Sequence, residues 1–248
     1  MDRALYTLMV GANRSLQAQA VFANNLANIS TVGFRGDLVD ARKIVIEEAA
    51  LAEVHKGTGN DISTKSDFTI GQVEQTGQVL DVALASSGFI AVQAADGKEA
   101  YTRAGDLQLD SNGLLTTSRG DLVLGNGGPI SIPPAEKISI GIDGAISVQI
   151  LGQSAATLAQ IDRIKLVNPD VKSLIKGGDG LFRTENGKRE RADPEVTLRS
   201  GYVERSNVSA VDMLTKIITT ARQFEMQVKT MQTVQENSES SARIMQLS

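Results

Sequence analysis

Both ends of this 248-residue chain carry apolar residues spaced alternately three and four positions apart. Near the start the row is Leu5, Met9, Ala12, Leu16, Ala23 and Leu26, with Gln19 as its polar interruption. Near the end it is Leu214, Ile217, Ala221, Phe224, Val228 and Met231. A stripe of this width and period is the seam of a coiled coil, and a lone helix cannot leave it in water. Each helix needs a partner, supplied by the other terminus or by a neighbouring copy. That requirement points to a building block rather than an enzyme.

Local signals frame both helices. Asp2 can cap the free amides of the first turn, and Ile29-Ser30-Thr31-Val32-Gly33 brings β-branched residues and then glycine near Asn28. About 26 residues give a rod of about 40 Å. The second helix opens on Ser209-Ala210-Val211-Asp212, a capping box with Asp in place of Glu, and neither Pro nor Gly follows it. Beyond Met231 the seam weakens to Gln235, Ser238 and Ala242, which predicts fraying of the last turns.

Between the helices the texture changes. Residues 36–64 read as a connector, in which Val39, Ile44, Val45 and Leu51 with Glu47, Glu48 and Glu53 make a short helix or an extended arm. From about Asp61, short alternating runs are punctuated by turns such as Asp110-Ser111-Asn112-Gly113 and Asp143-Gly144. Further strands are expected over 158–167, 180–184 and 195–204. The fold class is therefore α+β. Terminal helices pair as a coiled coil (1–35 with 206–248), and an all-β body of short strands occupies 65–205.

Composition narrows the chemistry. With a net charge of -4 and a pI near 5.2, the chain has no basic field for nucleic acid. There is no cysteine, so disulfides and thiolate metal sites are impossible. No run approaches the ~20 apolar residues of a membrane span, and no secretory signal is visible. His55 is the sole histidine and sits in a charged connector, so a hydrolase triad or transition-metal site is a poor reading. Asp110-Ser111-Asn112-Gly113 lacks the later ligands of a calcium loop. Gly125-Asn126-Gly127-Gly128 and Gly177-Gly178-Asp179-Gly180 miss both phosphate-loop patterns, and Arg183–Arg191 reads as a solvated hairpin tip. No cofactor is expected. A carboxylate-pair hydrolase acting on cell wall and an exported β-domain adhesin remain as alternatives; the adhesin would tolerate loss of its terminal helices.

The segment Ala23-Asn24-Asn25-Leu26-Ala27-Asn28-Ile29-Ser30-Thr31-Val32-Gly33-Phe34-Arg35 resembles the N-terminal signature of the flagellar basal-body rod and hook family. Gly201-Tyr202-Val203-Glu204-Arg205-Ser206-Asn207-Val208 resembles the segment that precedes that family's C-terminal helix. The run from Gly77 through Asp81-Val82-Ala83-Leu84 and Gly88-Phe89 to Tyr101-Thr102-Arg103-Ala104-Gly105 is similar to its shared β domain. The resemblance covers nearly the whole chain. Within the family, Met1-Asp2 with Tyr6 and a short connector after Arg35 are most similar to a proximal-rod subunit, with a distal-rod subunit as the alternative.

The resemblance implies a structural subunit of the rod that crosses the periplasm. It implies self-association, contact with other rod subunits, and export by the flagellar type III apparatus without a cleaved signal. It implies no membrane insertion. Its motif residues would then form an assembly interface, namely Asn24, Asn25, Leu26, Ala27, Asn28, Thr31, Gly33, Phe34 and Arg35 at one end. At the other end stand Gly201, Glu204, Ser206, Asn207 and Val208, followed by the seam Leu214, Ile217, Ala221, Phe224, Val228 and Met231. Asn side chains both donate and accept, so they suit packed backbone ends, whereas the plainer reading is an ordinary helix stop.

Overall fold

The computed structural model of the protein describes residues 2–39, 64–150 and 159–246. His55 and most of the expected connector lie outside the described residues. The chain divides into two compact units. One holds residues 1–29, 36–67 and 208–248, and the other holds residues 30–35 and 68–207.

In the first unit, α1 spans Asp2–Ala27 and α2 spans Ala210–Gln246. Ala, Leu and Gln carry α1, and its end is closed locally. The Asn28 amide reaches the Asn24 and Asn25 carbonyls, and Asn28 Nδ2 donates to Asn24 O at 3.0 Å. The start of α2 is the expected cap, with the Asp212 amide donating to Ser209 Oγ at 3.5 Å. The helix does not fray after Met231 but runs to Gln246. Strong helix formers and the Gln235–Glu239 side-chain bond, one turn apart, sustain it where the apolar row gives out.

The two helices contact each other and run antiparallel. Asn25 meets Met213, whereas Ser15, earlier in α1, meets Gln227, later in α2. On α2 the covered row is Met213, Ile217, Ala221, Phe224, Val228 and Met231, while Leu214 is exposed. On α1 the covered row is Leu5, Leu8, Ala12, Ser15, Ala18, Phe22, Asn25 and Leu26. Met9 and Leu16, expected in the seam, are 48% and 46% exposed. The first unit also holds the ribbon of β1 (Asp37–Val39), inside the stretch expected as a connector, and β2 (Thr64–Ser66), which begins at the last residue of that stretch and runs into the one expected as the β body.

Among its described residues the second unit holds strands and one 3₁₀ turn at Val171–Ser173, and the strand pairings are antiparallel. Small ribbons come from β3 (Val73–Gln75), β4 (Val82–Leu84), β16 (Leu198–Ser200) and β17 (Tyr202–Glu204), which pair β16 with β4 and β17 with β3. The largest sheet is built around β5 (Phe89–Gln93) and β6 (Glu99–Thr102). It continues through β9 (Leu122–Val123), β8 (Leu115–Thr117) and β7 (Leu107–Leu109) on one side, and through β15 (Phe182–Thr184) and β14 (Leu174–Lys176) on the other. A meander of β10 (Ala135–Ile140), β11 (Ala145–Ile150) and β12 (Ala159–Arg163) adds a separate three-stranded sheet. These elements match the strands expected over 158–167, 180–184 and 195–204, with β13 at Leu166–Val167.

Alternation along β5 explains the core. Ile90 and Val92 enter an aliphatic cluster with Ala100, Leu115, Val123, Ile146 and Leu198. Phe89 and Ala91 point the other way, into a cluster with Tyr101, Val167 and Phe182. A strand covered on both faces reads as a continuous apolar run, as Phe89-Ile90-Ala91-Val92 does. The Phe68, Phe89 and Phe182 rings meet at centroid distances of 5.3–6.1 Å, favourable for tilted and edge contacts.

Tyr101 buries its ring there. Its hydroxyl donates to Glu99 Oε1 at 3.1 Å and accepts from the Glu190 amide at 2.9 Å. Burial pushes the phenol up to about 12 from its usual 10. The neutral phenol is thus favoured in the folded state, so its stabilising effect is full below pH ~10 and is lost as pH rises toward 12. Ultraviolet titration should show a late phenol ionisation, and Tyr101→Phe should remove that late step.

Candidate functional site

Three separate stretches of the sequence converge on one buried carboxylate. Glu204, at the end of β17, is fully buried. Its Oε1 lies 2.5 Å from Arg35 Nη2 and accepts from the Gly71 amide at 2.8 Å. Its Oε2 lies 2.7 Å from Arg103 Nη2 and accepts from Arg103 Nε at 2.8 Å. Arg103 also donates through Nη1 to the Gly88 carbonyl at 2.7 Å and the Ser86 carbonyl at 3.3 Å. Both guanidiniums are almost wholly buried. Buried charges of this kind persist only when paired and hydrogen-bonded, and here both carboxylate oxygens are engaged.

The backbone is stitched at the same point. The Gly33 amide donates to Glu204 O at 2.7 Å, and the Asn207 amide to Phe34 O at 3.4 Å. Gly33 has φ +67°, and a Cβ there would sit 2.2 Å from Ala104 N and from Arg103 C. Only glycine passes this crossing. Phe34 is buried, and Lys176 Nζ lies 4.0 Å from its ring centroid while donating to Arg35 O at 2.8 Å. Asn207 Nδ2 donates to Thr69 O at 3.2 Å and Thr69 Oγ1 at 3.1 Å. Gly201 forms the β16–β17 turn at φ +84°.

In the helical unit Asn25 does the corresponding work. It is buried, its Nδ2 donates to Asp37 O at 2.8 Å, and its Oδ1 accepts from Asp37 N at 2.8 Å. The side-chain amide thus mimics a strand neighbour for β1. Asn24 and Ala27 are exposed, while Leu26, Asn28, Thr31, Ser206 and Val208 are half-covered.

The arrangement can clamp three segments together. Among the described residues no group of three or more metal-ligating side chains assembles. No helix among the described residues is long and apolar enough to cross a membrane. Of the residues singled out from sequence, Gly33, Phe34, Arg35, Glu204 and Asn207 come together here. Arg103, Gly71 and Lys176 complete the cluster and were not singled out. Arg103 stood in plain view within Tyr101-Thr102-Arg103-Ala104-Gly105. Its signal was charge, since Glu204 is an acid among basic residues at Arg35, Arg103 and Arg205.

The comparisons with known proteins follow the same three stretches. Residues 5–35 match the family described as flagella basal body rod protein. Residues 83–148 match the flagellar hook protein FlgE/F/G D1 domain, and residues 199–244 match the flagellar basal body rod FlgEFG protein C-terminal family. The chain is 42% identical over 243 residues to the flagellar basal-body rod protein FlgF of Salmonella typhimurium, covering 96% of each chain. It is 40% identical to FlgF of Escherichia coli, over all of both chains. Against the rod protein FlgG of Bacillus subtilis it is 32% identical, covering 95% of this chain and 96% of the other. The chain belongs to the flagellar basal-body rod family and is a structural subunit of that rod. Among the rod proteins it is most like FlgF.

Removing Glu204 alone strands two buried guanidiniums. Glu204→Ala should cost about 3–5 kcal/mol of stability. Urea denaturation of the purified chain would measure this. A loss under 1 kcal/mol would show that the cluster does not hold the β unit together.

Proposed function

We propose that this protein is a proximal-rod subunit that assembles helically through its terminal helices into the shaft spanning the periplasm. The observation that carries this reading is the apolar surface left on the helix pair. Met9 and Leu16 on α1, and Val211, Leu214, Ile218 and Met226 on α2, are all between 46% and 75% exposed. Outward apolar rows of this size on a helix mark an interaction surface. Head-to-tail contacts whose rotation does not close generate an open helical filament, and such contacts are part of this reading.

The helices are read as the assembly region. The seam residues Ile217, Ala221, Phe224, Val228 and Met231 then serve the internal pair, and Leu214 serves the neighbours. The motif residues at 24–35 and 201–208 set the geometry from which the helices depart. Partners are copies of the same chain and other rod proteins. Passage through the flagellar type III exporter, without a cleaved signal, suits a chain with no disulfide to obstruct it. The role is mechanical and non-enzymatic. The proximal position is supported by the 42% and 40% identity to FlgF of Salmonella typhimurium and Escherichia coli, against 30–35% to FlgG proteins.

The test is complementation of a cell lacking this gene. Leu214→Asp with Ile218→Asp places two charges on the outward row and should abolish swimming in soft agar and remove rods from purified basal bodies. The circular dichroism of the purified variant should match the parent, because neither side chain is buried in the single chain. Motile cells with intact rods would sink the proposal.

A further inference from the structure

Two faces of α1 compete for the place against α2. Both contain Leu5, Ala12, Gln19 and Leu26. One adds Leu8, Ser15 and Phe22, and the other adds Met9, Leu16 and Ala23. The second has one more apolar residue, yet the structure turns the first inward. Ser15 is 6% exposed, while Met9 and Leu16 face out.

We infer that Gln227 selects the face of α1 that packs on α2. Gln227 lies in the half-covered row of α2 beside Phe224, Val228 and Met231. A primary amide in such surroundings needs hydrogen-bonding partners and room for a flat group. The Gly11–Ser15 row provides both. Gln227 Oε1 lies 3.2 Å from Ser15 Oγ, which can donate to it, and that hydroxyl is also 3.2 Å from Gly11 O. Gln227 Nε2 rests over Gly11, where an added Cβ would stand only 2.8 Å from it. Turning α1 to bring in Met9 and Leu16 would remove this hydroxyl and put apolar carbon against the amide. A polar group in a helical seam commonly specifies one pairing at a cost in stability. Here it keeps Met9 and Leu16 facing out, and their use by a neighbouring subunit rests on the rod assembly proposed above.

The chain has no cysteine, so a single introduced thiol reports on one position. Leu16→Cys and Leu8→Cys would each be labelled with a maleimide on the purified, unassembled full-length chain. In the parent background Leu16→Cys should react fast and Leu8→Cys slowly. Adding Gln227→Leu should reverse the order, slowing Leu16→Cys by about tenfold or more through burial. Gly11→Ala provides a second route. Alanine favours the helix, so this variant folds, and its methyl group displaces the amide from its socket. It should shift both rates in the same directions. The assignment is overturned if both variants leave the two rates unchanged, or if both thiols react equally fast in the parent. Because no assembly is involved, this result is independent of whether the Leu214 and Ile218 substitutions stop rod formation.

Discussion

Glu204 is the point at which the β unit is tied. Its carboxylate faces guanidiniums from Arg35 and Arg103, brought from far apart in sequence, and an amide from Gly71. Burying three charges is costly in itself, and replacing such a group by apolar residues of equal volume often stabilises a protein. What the cluster supplies is geometry. A carboxylate has two oxygens in one plane; here Oε1 meets Arg35 and the Gly71 amide, and Oε2 meets two nitrogens of Arg103. Slippage of the segment at residues 30–35, or of the one at 86–103, would leave a charge stranded. The tight crossing at Gly33 enforces the same alignment through sterics rather than charge. Two unrelated forces therefore fix one path for the chain on its way out of α1.

Much of this was legible in the sequence. The helix limits followed from Ser209 and from the β-branched run before Gly33. The β unit followed from alternation and glycine turns. The identity of the β core was readable too, since Phe89-Ile90-Ala91-Val92 has no polar face to expose. What stayed hidden were pairings across long separations. Nothing local to Arg103 says that it meets Glu204, because a basic residue in a strand is compatible with solvent. Likewise Asn25 looks like a helix terminator, and only the fold reveals that it pairs with the backbone of Asp37.

The seam of α1 shows a different limit. Period and hydrophobicity favour Met9 and Leu16, and by area alone that preference is reasonable. The outcome turns on one hydroxyl, one missing side chain at Gly11 and one amide on the other helix. A sum over apolar residues weighs none of these. A lone chain that satisfied every apolar row internally would have little left to offer a neighbour.

The spacing of the Glu204 cluster has a temporal consequence. Arg103 and Glu204 are 101 residues apart, and Arg35 lies earlier still. A chain emerging N-terminus first, whether from a ribosome or through a narrow channel, presents both arginines long before their counter-ion. Until Glu204 appears, the two cations have no acid to bury against, and the early segments are better left hydrated. The β unit is therefore built to finish late, and nearly all of the chain must be delivered before its interior can lock.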